Sequence, residues 1–310
     1  MSTPTRDRLD NLMKSSLGEP QAGAQTAPPR QNRLIIVLAD ISGYTDLMVA
    51  NQTAAIHGQI VVSMLIEAIL KEVDIPLQLQ EIEGDAVFLY AEHPGSEAQW
   101  REVCDHVGRK LPRFFEAFAE AMIAAEESTV CRCAVCQSKE LRLKIVVHSG
   151  EAVFHSIRGR AQISGVDVIL AHRLLKNSIP GNEYILLTEA AHEHLSPSLD
   201  LELTEGEENY ERLGAIQTFV HFPGDQEGVR QKFYAQSAGQ LAWSGVRYAG
   251  WVIVEEFKAL SQHLRLPIAP VSTPRRIAYA TFMVLIAPLV FLGLATTTPV
   301  RLILRRARQD

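Results

Sequence analysis

Apolar and polar positions alternate along this chain with two different periods, and the change of period marks its elements. Leu34 to Ala39 (LIIVLA) is an unbroken apolar run of strand length, and Asp40 closes it. Ile56, Ile60, Val61, Met64, Leu65, Ala68 and Ile69 then recur at three- and four-residue spacing, which predicts a helix. Two more strand-type runs flank Gly84-Asp85, so LQLQEIEGDAVFLYA predicts a hairpin with an acid at its tip. If the helix packs back on the sheet, Asp40 and Asp85 meet at one edge.

The remaining pattern extends this alternation. Apolar residues at Val103, Val107, Leu111, Phe114, Phe115, Phe118 and Met122 predict a long helix over 97–127, or two helices divided near Pro112. Strands are expected over 141–148 and 152–157, joined by a turn at Ser149-Gly150-Glu151. Gly159 and Gly165 mark loops, and a helix follows over 168–176. A short strand over 184–188, a short helix over 189–195 and one or two closing strands over 210–222 complete an α/β sandwich. Beyond it, Trp243, Trp251, Val252, Val254, Phe257 and Leu260 give 240–264 an amphipathic helical pattern, and Pro267 and Pro270 break the chain into a linker.

The two acids carry the first chemical signal. Like charges brought together repel unless a cation lies between them. Paired carboxylates suit Mg²⁺ or Mn²⁺, which bind through one or two of them plus substrate phosphates. Ser42-Gly43-Tyr44-Thr45 leads into a helix start, where backbone N–H groups favour anions. The alternative is plainer: Asp40 caps a helix and Asp85 belongs to a turn.

ADISGYT, EGDAVFLYA, LRLKIVVHSGEAV and ISGVDVILAHRLL, in that order, resemble the signature segments of class III nucleotidyl cyclases. The chain is similar, more narrowly, to a bacterial cyclase-related family with a cysteine cluster ahead of the HSGE strand. The resemblance covers roughly residues 33 to 222 and implies an α+β fold with a ferredoxin-type core. By motif position it implies that Asp40, Asp85 and the Ile41 carbonyl hold the metal, and that Gly43, Tyr44 and Thr45 meet phosphates. Glu81 and Gln162 would read the base, with a carboxylate at Glu81 favouring guanine; otherwise Glu81 is a solvated strand residue. Arg173 matches the residue that stabilises phosphoryl charge.

Two positions depart from that pattern. Ile169 stands where the family has an asparagine that orients ribose, and no lysine occurs between Lys176 and Lys232, where the family's phosphate-binding lysine belongs. Losing such preorganised groups costs on the order of 10²–10³ in rate per donor. Two functions from different classes therefore stand. One is a nucleotidyl cyclase using a nucleoside triphosphate, GTP or ATP; the other is a catalytically degenerate nucleotide-binding regulatory module. His148, at the end of its strand, is expected to bond backbone. Class III sites form between two chains, so a homodimer or a heterodimer is implied.

Composition adds compartment and tether. A formal net charge of -6 gives no reason to expect nucleic acid. Cys131, Cys133 and Cys136 form C-x-C-x₂-C, close enough for one Zn²⁺ or for a redox switch, or an inert reduced loop. Residues 1–32 are polar, show no signal-peptide pattern and read as a disordered arm. The cyclase-like domain is expected over 33–223, an amphipathic helix and linker over 224–274, and a membrane anchor over 275–310. In that anchor, 277–296 carries no charged residue and is long enough to span a bilayer core, with arginines on both sides. The alternative is a buried core helix. Arginine is denser on the C-terminal side, which by the positive-inside rule draws that end to the cytoplasm. A cytoplasmic cyclase-like domain then requires either a translocated tail or a bend at Pro288 and Gly293.

Overall fold

A computed structural model describes residues 28–50, 55–128 and 141–224, with isolated positions between 229 and 246. The cysteine cluster, most of the helix expected over 240–264, the uncharged run 277–296 and most of the N-terminal arm lie outside the described residues.

The first strand, β1 (Arg30–Ser42), begins inside the stretch expected to be an arm and continues two residues past Asp40. Its middle is wholly buried, which is why the sequence there has no polar interruption. A short helix α1 (Tyr44–Ala50) and the expected helix α2 (Ala55–Lys71) follow. The hairpin forms as predicted: β2 (Gln78–Glu83) and β3 (Ala86–Glu92) turn on Gly84-Asp85, with Gly84 at φ 66°. That left-handed conformation favours glycine, because a Cβ there is penalised.

The expected long helix α3 (Glu97–Ser128) runs unbroken through Pro112, so the alternative of two helices divided there does not occur. Its apolar stripe, including Trp100, Phe114 and Phe118, is buried against the sheet and α2, and that packing offsets the one backbone hydrogen bond that proline removes.

The turn expected at Ser149-Gly150-Glu151 is also absent. One strand, β4 (Arg142–Ile157), crosses it without a break, because β1 pairs with it antiparallel from Arg30↔Phe154 to Ser42↔Arg142. The chain reverses instead at Arg158-Gly159, both at positive φ, and returns as β5 (Arg160–Ser164). Two successive positive φ values are the geometry of a tight hairpin turn.

After helix α4 (Val166–Leu174) come β6 (Tyr184–Thr188) and helix α5 (Glu189–Leu195), the last two at the expected bounds. Two closing strands follow, β7 (Thr204–Tyr210) and β8 (Gly214–His221). The sheet has the order β2-β3-β1-β4-β6-β8-β7, with β5 attached to the outer half of β4.

The two sheet faces are covered unequally. Ile35, Val37, Ala39, Leu143, Ile145 and Val147 pack on the side of α2, α3 and α5. Leu34, Ile36, Leu38 and Val146 point the other way, where α4 supplies Val168, Leu170, Ala171 and Leu174. Asp40 and Lys144 share the parity of this second face, which among the described residues is packed by the short helix α4. Among the described residues no helix is long and apolar enough to cross a membrane.

Candidate functional site

The pairing of β1 sets the centre of the site. Asp40 lies opposite Ala86 of β3 on one side and opposite Lys144 of β4 on the other. Asp85 sits at the tip of the β2–β3 hairpin, and the Ile41 backbone N–H donates to the Asp85 carbonyl at 3.3 Å, tying the tip to β1. Asp85 is half-buried, and burial followed by the nearby charge of Asp40 pushes its carboxyl up to about 6, with Lys144 opposing. The fold therefore brings together the two acids that the sequence paired.

Lys144 is a member of the site that the sequence pattern does not single out. Its Nζ is 2.8 Å from Asp40 Oδ2, with only 20% and 18% of the two side chains exposed. Nζ also donates to the Leu175 carbonyl at 3.4 Å, at the C-terminal end of α4. The available signal is a charge flanked on both sides by apolar residues in LRLKIVV, two positions after Arg142, which is unusual in a buried strand unless the charge has a partner. The cation beside Asp40 thus comes from β4.

The remaining candidates fall into three places. Gly43, at φ 88°, ends β1; its carbonyl accepts from the Leu47 N–H at 3.0 Å, so it starts the seven-residue α1 that carries Tyr44 and Thr45. The Tyr44 hydroxyl donates to Gln59 Oε1 at 3.0 Å. Glu81 lies on β2 and Gln162 on β5, and these two elements touch: Gln80 Nε2 donates to the Ala161 carbonyl at 3.0 Å. Arg173 and Ile169 lie one turn apart on α4, both exposed, Ile169 at 54%. Among the described residues no ion pair joins Arg173 to either aspartate within the chain.

His148 departs from expectation. It is 5% exposed, and its Nδ1 lies 2.9 Å from Thr188 Oγ1 rather than from backbone. Its Nε2 is 3.3 Å from Asp167 Oδ1, and Asp167 Oδ2 accepts from the Glu151 N–H at 2.6 Å. Burial lowers the pKa of His148 although Asp167 pulls the other way. This cluster pins the first turn of α4 to β4 and so orients the helix that displays Ile169 and Arg173.

Among the described residues no group of three or more His, Cys, Asp or Glu side chains forms a metal cage. The donor set fits a hard divalent cation all the same. Two neighbouring carboxylates suit an ion that keeps water and takes phosphate oxygens for its other positions. The fit does not extend to a structural zinc.

The fold defines the class: an α/β domain with the architecture of an adenylyl cyclase domain; an acidic pair and a lysine lie at one end of its sheet. The adenylyl cyclase CyaB from P. aeruginosa superposes with TM-score 0.50 and 13% identity, over 64% of this chain and 98% of that one. The guanylyl cyclase Cya2 gives 0.48 and 14%, over 63% and 95%. At such identities the likeness establishes the fold, and the fold assignment rests on the first of the two. A family model described as protein of unknown function (DUF2652) matches residues 62–184. The chain is also 31% identical over 143 residues to Uncharacterized protein Rv2561/Rv2562 of Mycobacterium tuberculosis; the match covers 46% of this chain and 64% of that protein, under two thirds of its length.

Proposed function

We propose that this domain binds a nucleoside triphosphate together with Mg²⁺ or Mn²⁺ and signals through that binding. The observation that carries the proposal is the convergence of Asp40, Asp85 and Lys144 at one end of a cyclase-type sheet. In it, Asp40, Asp85 and the Ile41 carbonyl hold the metal, which when bound neutralises phosphate charge. Lys144 and the first-turn N–H groups around Gly43, Tyr44 and Thr45 attract the phosphates. Glu81 and Gln162, on the touching elements β2 and β5, read the base.

Arg173 is exposed on α4, and in this proposal it serves the site of a second chain in a dimer. Exposed Leu79, Ile82, Ile157, Val166 and Ile169 supply apolar area for such a contact. Ile169 contributes no hydrogen bond to a ribose, so the regulatory reading is preferred. Turnover to a cyclic nucleotide is the second reading, favoured by the exposed Arg173 and the cation Lys144. The uncharged run 277–296, flanked by arginines, tethers the domain to a membrane in this proposal. The cluster Cys131, Cys133 and Cys136 is a zinc or redox site in it.

The test is direct. The full chain is melted with Mn²⁺ and GTP or ATP beside Asp85→Ala, and cyclic product is followed by chromatography. A metal-dependent rise in melting temperature that the variant loses supports nucleotide binding. Product lost in the variant makes the protein a cyclase, and no rise with either nucleotide sinks both readings.

A further inference from the structure

We propose that Lys144 is a built-in counter-cation that occupies the carboxylate pair in the free domain and moves off Asp40 when a divalent cation enters, freeing its ammonium for an anionic ligand. This deepens the metal–nucleotide reading above and rests on it.

The contact is set by register. Asp40 and Lys144 are directly opposed on neighbouring antiparallel strands. Directly opposed side chains on one face begin about 4.5–5.5 Å apart at Cβ. Both side chains are largely sheltered, and Nζ is 2.8 Å from Oδ2. A pair so placed is screened less than one in open water, and the ammonium covers an oxygen that a metal would also need.

The charges show why the two cations exclude each other. Asp40 and Asp85 together carry two negative charges when ionised, and Lys144 cancels one of them. A divalent ion added beside an unmoved ammonium would meet a positive charge within a few ångströms. Repulsion at that range in a sheltered site costs several-fold to more than tenfold in affinity.

Lys144 also has somewhere to go. Nζ already reaches the Leu175 carbonyl at the end of α4, where the helix dipole favours a cation. A lysine suits this role because its charge is a point on a flexible stem with rotatable donors. Off Asp40, the ammonium remains beside the site and can meet phosphate oxygens. Metal and anion thus assist each other: the metal frees the lysine, and the anion gives it a new partner.

The experiment titrates the full chain with Mn²⁺ alone, reading free Mn²⁺ by electron paramagnetic resonance, and repeats it with inorganic triphosphate present. The proteins are wild type, Lys144→Met, Lys144→Arg and Asp85→Asn. Lys144→Met is expected to bind Mn²⁺ about tenfold more tightly than wild type without triphosphate, and to lose most of the tightening that triphosphate gives wild type. Lys144→Arg keeps the charge and tests the site even if the methionine variant folds poorly; it is expected to bind Mn²⁺ no more tightly than wild type. Equal or weaker Mn²⁺ binding by Lys144→Met, with binding lost in Asp85→Asn, overturns the counter-cation and leaves the metal site standing. Tighter binding by Lys144→Arg also overturns it. No Mn²⁺ binding by wild type or by either Lys144 variant overturns both the inference and the reading beneath it.

Discussion

The backbone N–H of Ile41 donates to the carbonyl of Asp85 at 3.3 Å, so the strand that bears Asp40 and the turn that bears Asp85 are joined by main chain as well as by proximity. The bond holds the hairpin tip against the end of β1 whatever the charge on either side chain. Burial and the nearby Asp40 charge both oppose ionisation of Asp85, with measurable consequences.

Asp85 is raised above its ordinary value of 3.8 to about 6, so the fold favours its protonated form. The stability it contributes is fully present below about pH 3.8 and is lost as pH rises through about 6. Asp85→Asn is therefore expected to be more stable than wild type at pH 8 without metal. The gain is on the order of 1 kcal/mol once screening at a half-exposed site is allowed for. Urea midpoints at pH 8 and pH 4 check this: the difference should vanish at the lower pH, and Mn²⁺ should stabilise only wild type.

His148 has the opposite sign. Burial depresses its pKa below 6.5, so its contribution is present above that value and is lost as pH falls through 6.5 toward the depressed one. In an Asp85→Asn background, which removes the opposing trend, stability should fall between pH 7 and pH 5. Adding His148→Gln should flatten that slope. A slope that persists in the double variant would assign the titration to another group.

Gly150 is required by the approach of α4 to β4. A Cβ at this position would lie 2.7 Å from Asp167 Cβ and closer still to its carboxylate. Gly150→Ala is expected to cost about 1–3 kcal/mol by overpacking. Adding Asp167→Ala should recover part of that loss, because the two residues share one space. Chemical denaturation of the two single variants and the double variant measures the coupling.

Ile169 and Arg173 display one face of α4 to solvent, and only Arg173 has polar chemistry. If the site lacks turnover because nothing orients a ribose, Ile169→Asn should raise cyclic product by at least about tenfold with Mn²⁺ and GTP or ATP. Arg173→Ala should abolish the gain. Unchanged product in Ile169→Asn, beside intact nucleotide binding, would place the block elsewhere.

Local pattern and turn chemistry are enough to reveal the buried middle of β1, the stripes of α2 and α3, the Gly84-Asp85 hairpin and the pairing of Asp40 with Asp85. They do not reveal the strand β7, because TEGEENY is mostly polar and reads as loop. It forms because β8 pairs with it along its whole length, and because Glu208, 7% exposed, accepts from the Ser178 N–H at 3.0 Å and from its hydroxyl at 2.8 Å. The acid is buried only because that loop supplies its donors.

Taken alone, the sequence determined which runs are buried, where the chain turns on glycine, and which two acids stand at the end of a strand and the tip of a hairpin. Tertiary structure decided that β4 runs straight through Ser149-Gly150-Glu151, that His148 is enclosed by Thr188 and Asp167, and that Lys144 lies against Asp40. The reason is physical. Periodicity records which side of an element faces away from water, a property of neighbours in the chain. Which residue faces Asp40 across the sheet depends on the register of strands far apart in sequence, and that register is set only when the whole sheet packs.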